Sequence, residues 1–351
     1  MRILVIALAL LIITGCGVSG EVVKTEDLLT IGAILPLTGP ASFVGQEHLK
    51  GMELAVDSGI EIIYEDSAAN PKNAINQFTT LVTFQDIDAA IAILTPVAEV
   101  VAPLAQQHEI PLLLTTVSLD SVEDERDFVF RDFTNSKQDA GLSAKFARDH
   151  LNATTAVILY IFDDYGKSYS DAFTTEFGGA VKTFGFERSD ADFRSQLLKA
   201  KALDSDVLYV IGYDNHIVNV VRQAKELELD TTFMSNWVLA SPLILENAKG
   251  AVDDVYITTP DFYVDTRKEV VEFKERFFNK HGHYPDAYAA LGYDAVKMLA
   301  FAHKSGDIKA GLQGISGYKS LMGEMSVDQD GEMSFPLRFA KVVDGSVIRL
   351  S

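Results

Sequence analysis

Apolar residues along the chain fall into two alternating patterns, short continuous runs and longer stretches at helical spacing. The first pair is the clearest. Ile31, Ala33, Ile34 and Leu35 form a run suited to a parallel strand covered on both faces, and Pro36, Gly39 and Pro40 end it. After Gly45, the apolar residues Leu49, Met52 and Val56 recur at helical spacing, with Glu47, Lys50, Glu53 and Asp57 on the other side. The spacing predicts a strand, a turn and a helix whose N-terminus opens onto that turn. Open parallel sheets bind ligands at such strand ends, because unsatisfied helix N–H groups converge there.

The same unit then repeats. Strands are predicted over Glu61–Asp66, Ala89–Leu94, Pro111–Leu114 and Phe128–Arg131, with helices from Asn70-Pro71 and over Val97–His108. The acidic stretch Asp120–Asp127 reads as a solvated loop. Alternation resumes with strands at Thr155–Phe162, Asp206–Ile211, Thr232–Met234 and Asp254–Thr259, and helices at Ser170–Phe177, Phe193–Leu203 and Val218–Leu227. Two further helices follow, one from Thr266 and a long one opened by Pro285, and the tail carries two strands near Phe335–Val342 and Val347–Leu350. Strand and helix in alternation specify doubly wound parallel sheets.

The stretch IGAILPLTGPASFVGQEHLKGMELAVD resembles the opening of the branched-chain amino-acid-binding proteins of ABC importers, which are type I periplasmic binding proteins. Tyr165-Gly166 and the segment GYDAVKMLA at Gly292–Ala300 resemble them again. The resemblance implies an α/β fold of two doubly wound parallel-sheet lobes joined by three crossover segments, near Thr134, Pro260 and Val327. Residues 28–134 plus 260–327 would form the N-terminal lobe, and 135–259 plus 328–351 the C-terminal one.

Composition narrows the partners. A chain of 351 residues with 48% hydrophobic content is long enough for two domains. A net charge of −20 would repel phosphate backbones, so nucleic acid is not an expected partner. The N-terminus MRILVIALALLIITGC reads as a secretory signal, and Ile13-Thr14-Gly15-Cys16 resembles the bacterial lipobox. Cys16 is the one cysteine, which excludes an intrachain disulfide. The expectation is a signal peptide over 1–15, a lipid on Cys16, a tether over 16–27 and an extracytoplasmic protein held on a membrane.

Catalytic signatures are missing: there is no phosphate loop, no G-x-G-x-x-G after the first strand, no G-x-S-x-G and no H-E-x-x-H. No catalytic residue, cofactor or metal is expected. His281 and His283 flank Gly282 in what reads as a solvated loop, and Ser326, Asp328, Asp330 and Gly331 imitate half a calcium loop that ends in Leu337 instead of Glu, hence a β-turn. Asn152-Ala153-Thr154 matches a glycosylation acceptor that is uninformative in a bacterial lipoprotein.

What remains is polar and aromatic residues at strand ends, which in a doubly wound sheet share one crevice. The resemblance implies that Thr95, Thr116 and Ser118 hold a ligand carboxylate, that Tyr165 and Tyr213 are second-lobe contacts, and that Phe43 supplies the lid ring missing at Val44. Trp237 stands where the branched-chain pattern has an acid for the ligand's ammonium, which argues against an ordinary branched-chain amino acid unless Asp214 or Asp261 reaches in. The implied function is capture of a small polar metabolite for an ABC transporter permease. The alternative is a regulatory or envelope-scaffold lipoprotein of the same fold acting through protein contacts.

Overall fold

A computed structural model describes residues 28–119, 122–213 and 215–350. The signal segment 1–15, the tether 16–27, Cys16 and Asp214 lie outside the described residues.

The first half builds one parallel sheet from β1 (Leu29–Leu35), β2 (Ile60–Asp66), β3 (Ala89–Ile93), β4 (Leu112–Thr115) and β5 (Val129–Arg131), in the order β2-β1-β3-β4-β5. Helices α1 (Ser42–Ala55), α2 (Pro71–Phe84) and α3 (Thr95–His108) connect successive strands. Their entries follow local chemistry. Asn70 accepts hydrogen bonds from Lys72 N and Asn73 N, and Pro71 takes a first-turn position whose N–H would be unpaired anyway. Apolar strands covered on both faces account for β3 and β4, in which every residue is buried.

The chain then enters α4 (Ser136–Asp149), capped by Asn135, and builds β6 (Thr155–Ile161), α5 (Asp164–Phe177), β7 (Ala180–Phe186), α6 (Arg194–Lys201), β8 (Val207–Ile211), α7 (Asn215–Glu226) and β9 (Thr232–Ser235). A 3-10 turn at Trp237–Ala240 and α8 (Pro242–Ala248) lead to β10 (Tyr256–Pro260). After α9 (Asp261–Val264), α10 (Lys268–His281), α11 (Ala287–His303) and α12 (Ile308–Gln313) come a small sheet, β11 (Tyr318–Lys319), β12 (Glu324–Val327) and β13 (Met333–Ser334), and then β14 (Leu337–Val343) and β15 (Ser346–Arg349). The second sheet runs β15-β14-β10-β9-β8-β6-β7, parallel except where β14 pairs with β10 and with β15.

Three differences from the sequence expectation have physical causes. The strand β7 was not anticipated: it is an edge strand, Lys182 and Thr183 break its apolar run, and one face meets water. In the acidic stretch, whose residues 120 and 121 lie outside the described ones, Glu123 is not solvated: it is buried and its Oε1 lies 2.6 Å from Nη2 of the fully buried Arg131. Beyond Val327 the chain first makes β13, in the small sheet with β11 and β12, and then β14 in the second sheet. Asp328 turns β12 back into β13 by accepting from Asp330 N and Glu332 N, and Glu332 bridges to Arg131 beside β5. His281 and His283 are also half-buried rather than solvated, edging the ring of Phe277.

Helix α11 lies along α1, and the close approach depends on two glycines. A Cβ at Gly51 would collide with the carbonyl of Ala289, and one at Gly292 with that of His48.

Candidate functional site

A cleft of about 550 Å³ lies between the carboxyl ends of the two parallel sheets. Phe43, Thr95, Thr116 and Ser118 line its first wall, Tyr165, Tyr213 and Trp237 its second, so the structure places all seven residues singled out from the sequence on one cavity. Each reaches it for the same reason: it sits on the loop, or in the first turn of the helix, that follows a parallel strand, at β1, β3, β4, β6, β8 or β9.

Two helices start on the first wall without side-chain caps, α1 after Ala41 and α3 after Leu94. Their N-terminal N–H groups and positive dipole ends favour an anion. The wall is also strained. Ala68, Ala69, Leu94 and Thr116 all have positive φ, of 49°, 56°, 74° and 57°, and all line the cleft. A left-handed backbone at β-branched Thr116 costs energy that the surrounding packing must supply.

Thr116 differs from the other hydroxyls. Its Oγ1 lies 3.0 Å from Nε2 of His48, whose Nδ1 lies 2.8 Å from the carbonyl of Val44. His48 is fully buried, and burial pushes its pKa down to about 4, so the ring is neutral near pH 7. Thr95 and Ser118 make no side-chain hydrogen bond among the described residues.

The interior of the cleft is aromatic. Trp237 packs edge-on against Phe133 and Tyr288, each with centroids 5.6 Å away, and Phe43 sits edge-on to Tyr288 at 6.5 Å. Val44 lines the cleft beside Phe43. The Trp237 indole Nε1 is buried with no partner among the described residues, so Trp237 turns ring rather than donor to the cavity. On the second wall Tyr165 stacks on Tyr213 at 5.2 Å. Their hydroxyls are engaged, Tyr165 OH accepting from Asn236 Nδ2 at 2.7 Å and Tyr213 OH donating to Asp163 Oδ2 at 3.0 Å. Burial holds both phenols above the usual range, hence protonated.

Sequence reasoning missed three charged residues here. Arg188, on the turn after β7, lies 4.5 Å from the centroid of the Tyr213 ring, and Asp163 and Asp164 line the same wall. Asp163 caps α5 through Gly166 N, and Asp164 is exposed. Asp261, raised above as an ammonium partner, lies elsewhere: its carboxylate accepts from Arg338 Nε at 3.0 Å and lines a different surface pocket.

This arrangement defines a two-sheet α/β protein with a cleft between the carboxyl ends of its parallel sheets. Residues 29–346 match the periplasmic binding protein family, and the chain belongs to that family. Among its relatives is Leu/Ile/Val-binding protein homolog 1 of Brucella abortus, 24% identical over 332 residues that span 87% of this chain and 88% of the relative. The leucine-binding protein LivK of Thermotoga maritima has a TM-score of 0.82 at 24% identity, over 92% of this chain and 98% of that one. A solute-binding protein of R. palustris solved with benzoate has a TM-score of 0.81 at 19% identity, over 92% and 96% of the two chains. The fold is that of type I periplasmic binding proteins, a family of extracytoplasmic substrate-binding proteins. No helix among the described residues is long and apolar enough to cross a membrane.

Proposed function

We propose that the protein is a lipid-anchored receptor that captures a small carboxylate with an apolar body and delivers it to an ABC importer. The observation that carries this function is the cleft itself, with two uncapped helix N-termini and the free hydroxyls of Thr95 and Ser118 at one side and a floor of rings at Phe43, Phe133, Trp237 and Tyr288. An anionic end suits the former, and an aromatic or branched aliphatic body suits the latter. The lobes comprise 28–134 with 260–334 and 135–259 with 335–350, and they close on the ligand by hinge motion at the three passages. The relative named for leucine, isoleucine and valine and the neighbour solved with benzoate are both consistent with a carboxylate end.

Ordinary branched-chain amino acids are not the ligand in this proposal. Trp237 occupies the expected acidic position, and Arg188 adds a cation to the same wall. Asp163 and Asp164 also line this wall, but Asp163 is held by Gly166 N and Tyr213 OH and Asp164 is exposed, so a buried ammonium has no dedicated carboxylate partner, a lack that costs about 2–5 kcal/mol.

A thermal-shift screen of aliphatic and aromatic carboxylates tests the function. A ligand at a hundredfold excess over Kd adds about 2.7 kcal/mol to stability. No stabilisation by any carboxylate would leave the scaffold function standing instead. Micromolar binding of leucine, isoleucine or valine would overturn their exclusion. The anchor is tested separately, since Cys16→Ser should release the protein from membranes, and a variant that stays bound with unchanged mobility rules it out.

A further inference from the structure

The cleft carries a hydrogen-bond polarity that its lining residues alone do not reveal. The Val44 carbonyl can only accept, so the His48 nitrogen 2.8 Å from it, Nδ1, carries the proton. A neutral imidazole has one N–H, which leaves Nε2 as a bare acceptor. The partner 3.0 Å from Nε2 is Thr116 Oγ1, and that hydroxyl must therefore donate its single proton to His48. Thr116 then has only lone pairs to offer the cleft. His48 has no freedom to turn away: it is fully buried where α1 meets α11, its ring lies 5.7 Å from that of Tyr288, and the close approach at Gly292 fixes its backbone.

We infer that His48, although outside the cleft, is a positioning residue that makes Thr116 an obligate acceptor, and that the ligand is a carboxylate bearing a hydroxyl near its acid group. The inference rests on the carboxylate function proposed above. Thr116 and Ser118 leave the end of the same strand, β4, two residues apart. A carboxylate held at Ser118 and Thr95 therefore brings its neighbouring carbon toward Thr116, and a donor on that carbon satisfies the lone pairs. An ammonium would also donate, but the opposite wall does not suit it. Arg188 faces the cleft there with Tyr213 beneath it and repels a cation, Asp163 is turned to its own wall by Gly166 N and Tyr213 OH, which take one lone pair of each oxygen, and Asp164 is exposed to solvent screening. A neutral hydroxyl meets the acceptor without needing a counter-charge. The class is thus 2-hydroxy acids with a branched or aromatic body.

The test uses two skeletons, titrated calorimetrically against the intact protein. One set is 4-methylpentanoate, 2-hydroxy-4-methylpentanoate and leucine; the other is phenylacetate, mandelate and 2-methoxy-2-phenylacetate. The hydroxy acid should bind about tenfold tighter than its unsubstituted or methoxy counterpart and tighter than leucine, the effect of one hydrogen bond. Thr116→Val should abolish the preference and Thr116→Ser should restore it. His48→Leu should reduce it while leaving binding of phenylacetate in place, because the freed Thr116 hydroxyl can then rotate. Equal binding of hydroxy, methoxy and unsubstituted acids, or a preference that survives both Thr116→Val and His48→Leu, overturns this inference and leaves carboxylate capture intact. Binding of none of the six compounds overturns this inference, and the wider carboxylate screen then decides carboxylate capture separately.

Discussion

Arg131 Nη2 and Glu332 Oε2 meet at 3.0 Å, joining the end of β5 to the turn before β13. The same guanidinium reaches Glu123 Oε1 at 2.6 Å and donates from Nη1 to the carbonyl of Leu119 at 2.6 Å, one residue beyond Ser118. Glu332 in turn accepts from Asn135 Nδ2 at 3.0 Å, the cap of α4. One buried cation thus ties a cleft loop to the turn before β13 and, through Glu332, to the cap of α4. Burial pushes Glu123 up to about 7 against the opposing pull of Arg131.

Removing that cation should be severe. Arg131→Met leaves Glu123 buried and unpaired, a change that costs about 3–5 kcal/mol in comparable buried pairs. The double variant Arg131→Met with Glu123→Leu should recover part of the loss, since an apolar replacement of the pair removes the stranded charge. Urea denaturation of the two proteins compares them directly, and equal stability of single and double variants contradicts the account.

His48 should make stability depend on pH with a known sign. Its folded pKa of about 4 lies below the ordinary 6.5, so the unfolded chain binds the proton more readily. Its contribution is present in full above pH 6.5 and is lost as pH falls toward 4, a difference worth about 3 kcal/mol. Comparing wild type with His48→Met across that range isolates the effect from the titration of the carboxyls. Parallel stability curves would show that His48 titrates normally.

Ser118→Ala should weaken ligand binding by about tenfold or more, because hydrogen bonds to a charged group are worth about 1.5–3 kcal/mol. Folding should be unaffected, since no other described residue uses that hydroxyl. An unchanged Kd would remove Ser118 from the carboxylate end.

Gly292→Ala should destabilise by about 1–3 kcal/mol or more, the usual cost of overpacking, because the added methyl meets the His48 backbone. Thermal denaturation gives the loss. If α11 can shift without penalty, the melting temperature will not move.

The parallel strands were legible because burial on both faces leaves an uninterrupted apolar run, as in AAIAI of β3 and VLYVI of β8. The strand-end residues were legible for a topological reason, since any polar group after such a run must face the same crevice. Arg188 was not, because it follows an edge strand whose apolar run is broken by Lys182 and Thr183 and gives nothing to count from. His48 was hidden differently. It reads as one polar position on an amphipathic helix, and only tertiary packing of α11 over α1 turns it inward. Glu123 was taken for a solvated acid because its partner lies in the core of the next strand, a pairing that local spacing does not encode.

The uncapped starts of α1 and α3 have a consequence for the protein's stability. Asn70, Asn135, Asp163, Asp286 and Asp307 close other helices with their own side chains, whereas no side chain caps α1 at Ala41 or α3 at Leu94, and these two uncapped starts, unlike those of α6, α8, α9 and α10, face the cleft. A side-chain cap is typically worth about 1 kcal/mol. Under the proposed function a bound anion would add stability at these two helix starts, so the empty protein would open there first, and limited proteolysis with and without the solute reads the difference.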